Sequence, residues 1–225
     1  MTDARAQKKP SAAEPSPGGT AAGSAAGTEA GSGGRPVLRL PDAGAWRSWL
    51  EQNHATHDGV RLALAKGGAP GITYAQALDE ALCFGWIDGR KQGLSDAEWL
   101  QTFTPRRARS LWSKRNREHT ERLEREGRMT DAGRAEVERA KTDGRWDAAY
   151  AGSKTIEVPA DLAEALAASP PAAAMFATLT SQNRFAILFR IGNVKRAETR
   201  ARKIGEFVAM LERGETIYPQ LRREP

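Results

Sequence analysis

Between Thr104 and Arg117 the chain places six basic residues and no acidic one. Arg106, Arg107, Arg109, Lys114 and Arg115 are the candidate anion-binding residues, because a guanidinium offers paired N–H donors that match two phosphate oxygens and an ammonium adds a point charge. Trp112 lies among them and Trp86 lies upstream. An indole with a free face stacks on a nucleobase or a guanidinium, so both are candidate stacking residues. If Ser110 caps a helix, its first-turn N–H groups add a second attraction for an anion. The ligand that fits is nucleic acid or a phosphorylated small molecule. The competing reading is a solvated or internally neutralised charge face, with Asp79, Glu80, Asp88 and Asp96 as the partner acids and Trp112 in the core.

Other chemistries are thinner. Asp88 and Lys91 are candidate polar groups at the floor of a pocket between a sheet and the charged helix, which would suit a small enzyme, yet an Asp-Gly pair also makes a simple turn. No activated nucleophile or acid–base pair accompanies them, and no catalytic residue is assigned. Cys83 falls near a helix C-terminus, where the dipole disfavours a thiolate, so a buried inert thiol is expected. His54 and His57 stand three apart beside Asp58, but Gly59 and the surrounding composition read as a turn, and no metal site is expected. His119 reads as a packed or half-exposed histidine. The chain has no Walker loop, no dinucleotide-binding glycine pattern and no Gly-x-Ser-x-Gly, so no cofactor is expected.

The elements that must position these groups follow from periodicity. Trp46, Trp49 and Leu50 predict a helix between Pro41 and Asn53, and alternation at Val60, Leu62 and Leu64 predicts a strand. Thr73 and Gln76 form a capping box for a helix that Gly85 ends. Asp88-Gly89 predicts a two-residue hairpin turn between Trp86-Ile87 and Arg90-Lys91, and Glu98 to Thr104 predicts another strand. Beyond Ser110 the pattern is helical. One charged helix carries Trp112, Asn116, His119 and Leu123 on one face and ends at Gly127, and Thr130 caps the next. Leu162 and Leu166 mark a helix that stops near Pro170. Ser181 caps a helix apolar almost all round. The last helix has Ala201, Ile204, Val208 and Leu211 inward and Arg200, Arg202 and Lys203 outward. The fold class is therefore α+β and helix-rich, with a small antiparallel or mixed sheet in the N-terminal half and a helical C-terminal half.

The first 34 residues contain no Val, Ile, Leu, Phe, Trp or Tyr, so Met1 to Gly34 is expected to be a disordered tail. One folded domain is expected over residues 35–219, with room for a sub-boundary near 150–160, and residues 220–225 form a C-terminal tail. The formal net charge of +6 belongs to the folded body. No apolar run approaches the ~20 residues that span a bilayer, so no membrane insertion is expected. A lone cysteine and the lack of an export-signal pattern point to the cytoplasm.

The segments ITYAQALDEALCFGWIDG, TFTPRRARSLWSKRN, REGRMTDAG, DGRWDAAY, SQNRFAILFRI and KRAETRARKIGEFVAMLERGE together resemble the YdeI/OmpD-associated family over about residues 36–219. The resemblance implies a link to bacteriocin protection, antimicrobial-peptide resistance and porins, and it carries no catalytic residue. The expected function is a non-enzymatic cytoplasmic stress or resistance protein with an anion-binding basic segment. The alternatives are a small enzyme of unknown reaction and an interaction module that docks on an acidic protein partner.

Overall fold

Eight helices and a mixed sheet make up the residues described by the computed structural model, which are 27–29, 34–153 and 155–220. The expected α+β, helix-rich architecture is thus the observed one. Most of the tail expected to be disordered, and residues 221–225, lie outside the described residues. Within that tail the backbone of Gly27–Glu29 forms a short strand, β1, paired antiparallel with β2 (Val37–Arg39).

The helix α1 (Ala43–Asn53) follows, with Asp42 accepting from the Ala45 N–H at 2.8 Å as its N-cap. It crosses to β3 (Val60–Ala65), which therefore runs parallel to β2. Thr73 and Gln76 close the expected capping box on α2 (Tyr74–Cys83), and Gly85, at φ +72°, provides the left-handed residue that turns the chain into β4 (Trp86–Gly93). The next strand, β5 (Glu98–Pro105), inserts between β3 and β4, giving the order β1-β2-β3-β5-β4.

The expected Asp88-Gly89 hairpin turn is not there. Asp88 pairs with Phe103 and Lys91 with Gln101, so β4 runs straight through as one strand with a bulge of one extra residue. The chain reverses later, between Gly93 and Glu98, where Glu98 N–H donates to Ser95 Oγ at 3.0 Å. The bulge has a consequence for the site. In a regular strand residues three apart face opposite ways, whereas here Asp88 and Lys91 lie opposite Phe103 and Gln101, on the helix side. Gln101, buried, donates to the Gly89 carbonyl at 2.8 Å and satisfies the interrupted ladder.

The core sits between one face of this sheet and the helices. Trp46, Leu50, Val60, Leu62, Leu64, Leu78, Trp86 and Phe103 are fully or almost fully buried there, and the indole N–H of Trp46 donates to the Ala77 carbonyl. The helices α3 (Lys114–Arg125) and α4 (Asp131–Thr142) join the same core through Leu123, Val137 and Ala140, with Met129 of the loop between them. Among the described residues the other sheet face holds the small cluster Val37, Ala63 and Leu100.

A separate core belongs to α5 (Ala160–Ala167), α6 (Pro170–Ala177), α7 (Ser181–Gly192) and α8 (Ala197–Glu212). The prolines that end α5 also begin α6: Ser169 caps it, and Pro170 and Pro171 occupy its first turn, where a missing N–H costs nothing. The cap of α7 is Thr180, one residue before the expected Ser181. On α8 the buried residues are Ile204, Phe207 and Leu211, so Phe207 takes the place expected for Ala201, which is exposed. Phe185 and Phe189 of α7 are half-buried and pack on Tyr150, at ring separations of 6.4 and 4.8 Å.

Candidate anion-binding site

The basic segment enters α3 through an irregular loop whose shape is set from beneath. Arg107 N–H donates to Ser110 Oγ at 2.9 Å and Ser110 N–H returns to the Arg107 carbonyl, so Ser110 closes a turn and is not the helix cap. The cap is Ser113, whose hydroxyl accepts from Asn116 N–H at 3.1 Å. Arg145 donates to the Ser110 carbonyl at 2.8 Å. Tyr150 braces the helix entry by donating from its N–H to the Trp112 carbonyl and accepting at its own carbonyl from Lys114 N–H.

The five candidate cations divide. Arg106 is 5% exposed, lies 3.5 Å from the Trp112 ring centroid and donates to the Leu111 carbonyl at 3.2 Å. Burial lowers its pKa to about 10, against the pull of Glu136 and Asp88. It is an interior strut for the loop. Arg107, Arg109, Lys114 and Arg115 are exposed and make no ion pair with a carboxylate among the described residues.

Three of the four acids expected to neutralise them are otherwise engaged, and the fourth, Asp96, is exposed and makes no ion pair among the described residues. Asp79 is held by Arg122 at 2.6 Å and His119 at 2.8 Å, and Glu80 by Arg47 and Arg128. Asp88 accepts from the Tyr74 hydroxyl at 2.8 Å. Lys114 and Arg115 also stand in the first turn of α3, at the positive end of its dipole, with no acid among them. An external anion would relieve both conditions.

The stacking expectation needs correction. Trp86 is 1% exposed, with its N–H given to the His54 carbonyl, and Trp112 is 3% exposed between Arg106 and Trp146. Neither ring has a face left for a base, because both are large apolar groups at the seam between sheet and helices.

Residues that the sequence did not single out take part instead. Tyr74 lies 5.8 Å from Trp99, Lys91 lies 4.2 Å over Trp99, and Arg115 lies 5.5 Å from Tyr74. Asp88 and Lys91 are thus joined to the basic segment through two aromatic rings. Only the capping-box position of Tyr74 and the alternation of Trp99 with Gln101 and Phe103 hinted at this. Asp88 is tied to a phenol, and no nucleophile adjoins it.

Cys83 is fully buried, as expected, and His54 Nδ1 lies 2.8 Å from the Leu50 carbonyl oxygen as part of the helix end. Among the described residues no group of His, Cys, Asp and Glu is arranged to hold a metal.

Two weak acids of this region, the buried Cys83 and the half-buried Tyr74, should set an alkaline limit on stability. Burial, then the charge of Glu80, pushes the Cys83 thiol from 9.0 up to about 11, and burial, then Asp88, raises the Tyr74 phenol above its usual 10.0. Both groups are neutral when protonated, so their contribution is intact below the ordinary values and is lost as pH rises through the raised ones. Urea midpoints should be level from about pH 7 to 8.5 and fall from about pH 9 upward. Tyr74→Phe should flatten the part of that fall above about pH 10, and an unchanged slope would refute the assignment to Tyr74.

Comparison with known families divides the chain in a related way. Residues 38–136, which supply all of the sheet but β1 and Val37, together with α1 to α3 and the basic segment, match a domain of unknown function, DUF8412. Residues 155–214, which supply α5 to α8, match the family described as Bacteriocin-protection, YdeI or OmpD-Associated. The resemblance read over residues 36–219 is thus matched over the C-terminal helices, and the basic segment lies within the other match. No curated protein and no solved structure matches the chain. Among the described residues no helix is long and apolar enough to cross a membrane.

Proposed function

We propose that this chain is a non-enzymatic stress- or resistance-associated protein that binds phosphate-bearing polyanions, nucleic acid foremost, through Arg107, Arg109, Lys114 and Arg115. The observation that carries the reading is that these four cations are exposed and without carboxylate partners among the described residues, while the neighbouring acids Asp79, Glu80 and Asp88 are occupied by other groups. Arg106 and Arg145 hold the loop that presents them. The match to the YdeI/OmpD-associated family supports the resistance context. A single, fully buried cysteine suits a cytoplasmic setting.

The test is a titration with duplex DNA between about 50 and 200 mM salt, with Arg107→Gln/Arg109→Gln beside the parent chain. Four engaged phosphates give a log–log salt slope of roughly −3.6, and the double variant should reduce it to roughly −1.8. Arg106 is left intact, since removing it would disturb the loop. Salt-independent binding, or an unchanged slope in the variant, would refute the reading. Leu111, 39% exposed at the same loop, favours one second reading, in which an acidic protein partner docks on these cations. Absence of DNA binding together with saturable, Leu111-dependent capture of one acidic protein would select it.

A further inference from the structure

The bulge that brings Asp88 and Lys91 to the helix side turns Arg90 toward Thr102 on the opposite face of the sheet. There a cavity of about 220 Å³ is lined by Gly34, Arg35, Arg61, Arg90, Gln92 and Thr102, over the buried Leu100. Three arginines converge on it, and none of the described residues that line it is acidic. Elsewhere on this face the charge is balanced: Arg39, two residues along β2 from the partner of Arg61, pairs with Glu98 at 3.7 Å.

Two of the three guanidiniums are already oriented. Arg61 donates from Nε to the Arg35 carbonyl at 2.8 Å, and Arg35 donates from Nε to the Asp58 carbonyl at 3.3 Å. Both side chains are thereby held at Nε, and their terminal Nη groups make no hydrogen bond or ion pair among the described residues. Arg90 is exposed and likewise has no such partner there. Fixed guanidinium forks of this kind match the oxygens of a phosphoryl group better than a lone charge does, and pre-orientation lowers the entropy cost of using them. The Thr102 hydroxyl and Gln92 amide add neutral donors and acceptors, and Leu100 adds an apolar floor.

We infer that this cavity is a binding site for a small, free phosphorylated molecule, separate from the basic segment at α3. The volume lies below the roughly 300–1,000 Å³ of sites for drug-sized ligands, which suits a pyrophosphate or a small sugar phosphate. Three arginines brought together with no acidic residue among the described lining repel one another, and a phosphoryl dianion turns that repulsion into binding.

The experiment is calorimetric titration of the full chain with inorganic pyrophosphate at constant ionic strength. The parent chain, Arg90→Gln, Arg61→Gln and Arg107→Gln/Arg109→Gln are compared. One saturable site is expected, weakened about tenfold or more in Arg90→Gln and Arg61→Gln, as loss of a charge-assisted hydrogen bond implies, and unchanged in the double variant. Arg90 is exposed, so its variant should keep the fold and decides the matter even if Arg61→Gln does not fold. Retained pyrophosphate binding in Arg90→Gln, or loss of it in Arg107→Gln/Arg109→Gln alone, would overturn the inference. So would binding that appears only after residues 1–26 are deleted, which would make a carboxylate of the chain's own N-terminal segment the occupant. A salt slope for DNA that falls in Arg90→Gln, without any pyrophosphate site, would assign these arginines to nucleic acid instead.

Discussion

Gly133→Ala is expected to destabilise the protein by roughly 3 kcal/mol, near the upper end for an overpacked site, although alanine is the better helix former. Gly133 lies in α4 where that helix docks on the end of α2. A Cβ there would overlap the Cys83 carbonyl oxygen and would stand 2.7 Å from the Met129 methyl and 2.8 Å from the Cys83 carbonyl carbon. Two of these contacts are with backbone, which cannot rotate aside. The Cys83 carbonyl is itself fixed, since it accepts from the Thr130 N–H at 3.1 Å and from the Thr130 hydroxyl at 2.6 Å. Relief therefore requires α4 to lift and break both bonds. Gly205 in α8 is the matched control: nothing lies within 4 Å of the point where a Cβ would stand, so Gly205→Ala should stabilise by roughly 0.5–1 kcal/mol. Urea unfolding of both variants checks the pair, and a neutral Gly133→Ala would mean that α4 does not sit this close.

Glu80→Ala should cost a similar amount, roughly 3 kcal/mol, because it strands two cations around a buried position. Glu80 is 7% exposed and accepts from Arg47 at 2.9 Å and from Arg128 at 2.5 Å. The neighbouring Asp79 takes Arg122 and His119, so two successive carboxylates of α2 tie together α1, α3 and the Arg128 loop. Both arginines keep about a third of their side chains in water, which limits the penalty to the lower end of that known for broken buried pairs. Glu80→Gln should cost less, as it keeps an acceptor. A double-mutant cycle with Arg128→Ala separates the pair's own energy from the penalty of stranding its partner. A loss below about 1 kcal/mol for Glu80→Ala would show that the network behaves as a surface ion pair.

Much of the local structure was legible because it depends on neighbours in the chain. Thr73 and Thr130 were followed by helices because a side-chain oxygen reaches an N–H only a few residues on. The strand at Val60 to Ala65 announced itself by alternation, and Gly85 and Gly127 by the need for positive φ after a helix. The hairpin at Asp88-Gly89 failed for a non-local reason. The pair has the chemistry of a tight turn, but β5 provides partners for both ends of β4 and Gln101 satisfies the bulge, so the strand continues. Of the face expected for α8, Ile204 and Leu211 are buried and Val208 partly so, whereas Ala201 is exposed and Phe207, with more apolar area to bury, joins the core.

The candidate site was half legible. That a run of cations lies between β5 and α3 is a property of the chain itself. Which of them meet water is decided by tertiary packing, which places Arg106 on Trp112 inside the molecule and leaves Arg107, Arg109, Lys114 and Arg115 outside. The sequence alone determined an α+β, helix-rich protein with a basic loop and one unreactive thiol. Charge type, helix period and turn chemistry are carried by residues close together in the chain. Only the tertiary structure decided that Asp79 and Glu80 are unavailable to that loop, that Trp86 and Trp112 are closed to ligands, and that three arginines from distant segments share one cavity. Each of these is a contact between residues far apart in sequence, and periodicity and spacing hold no information about such contacts.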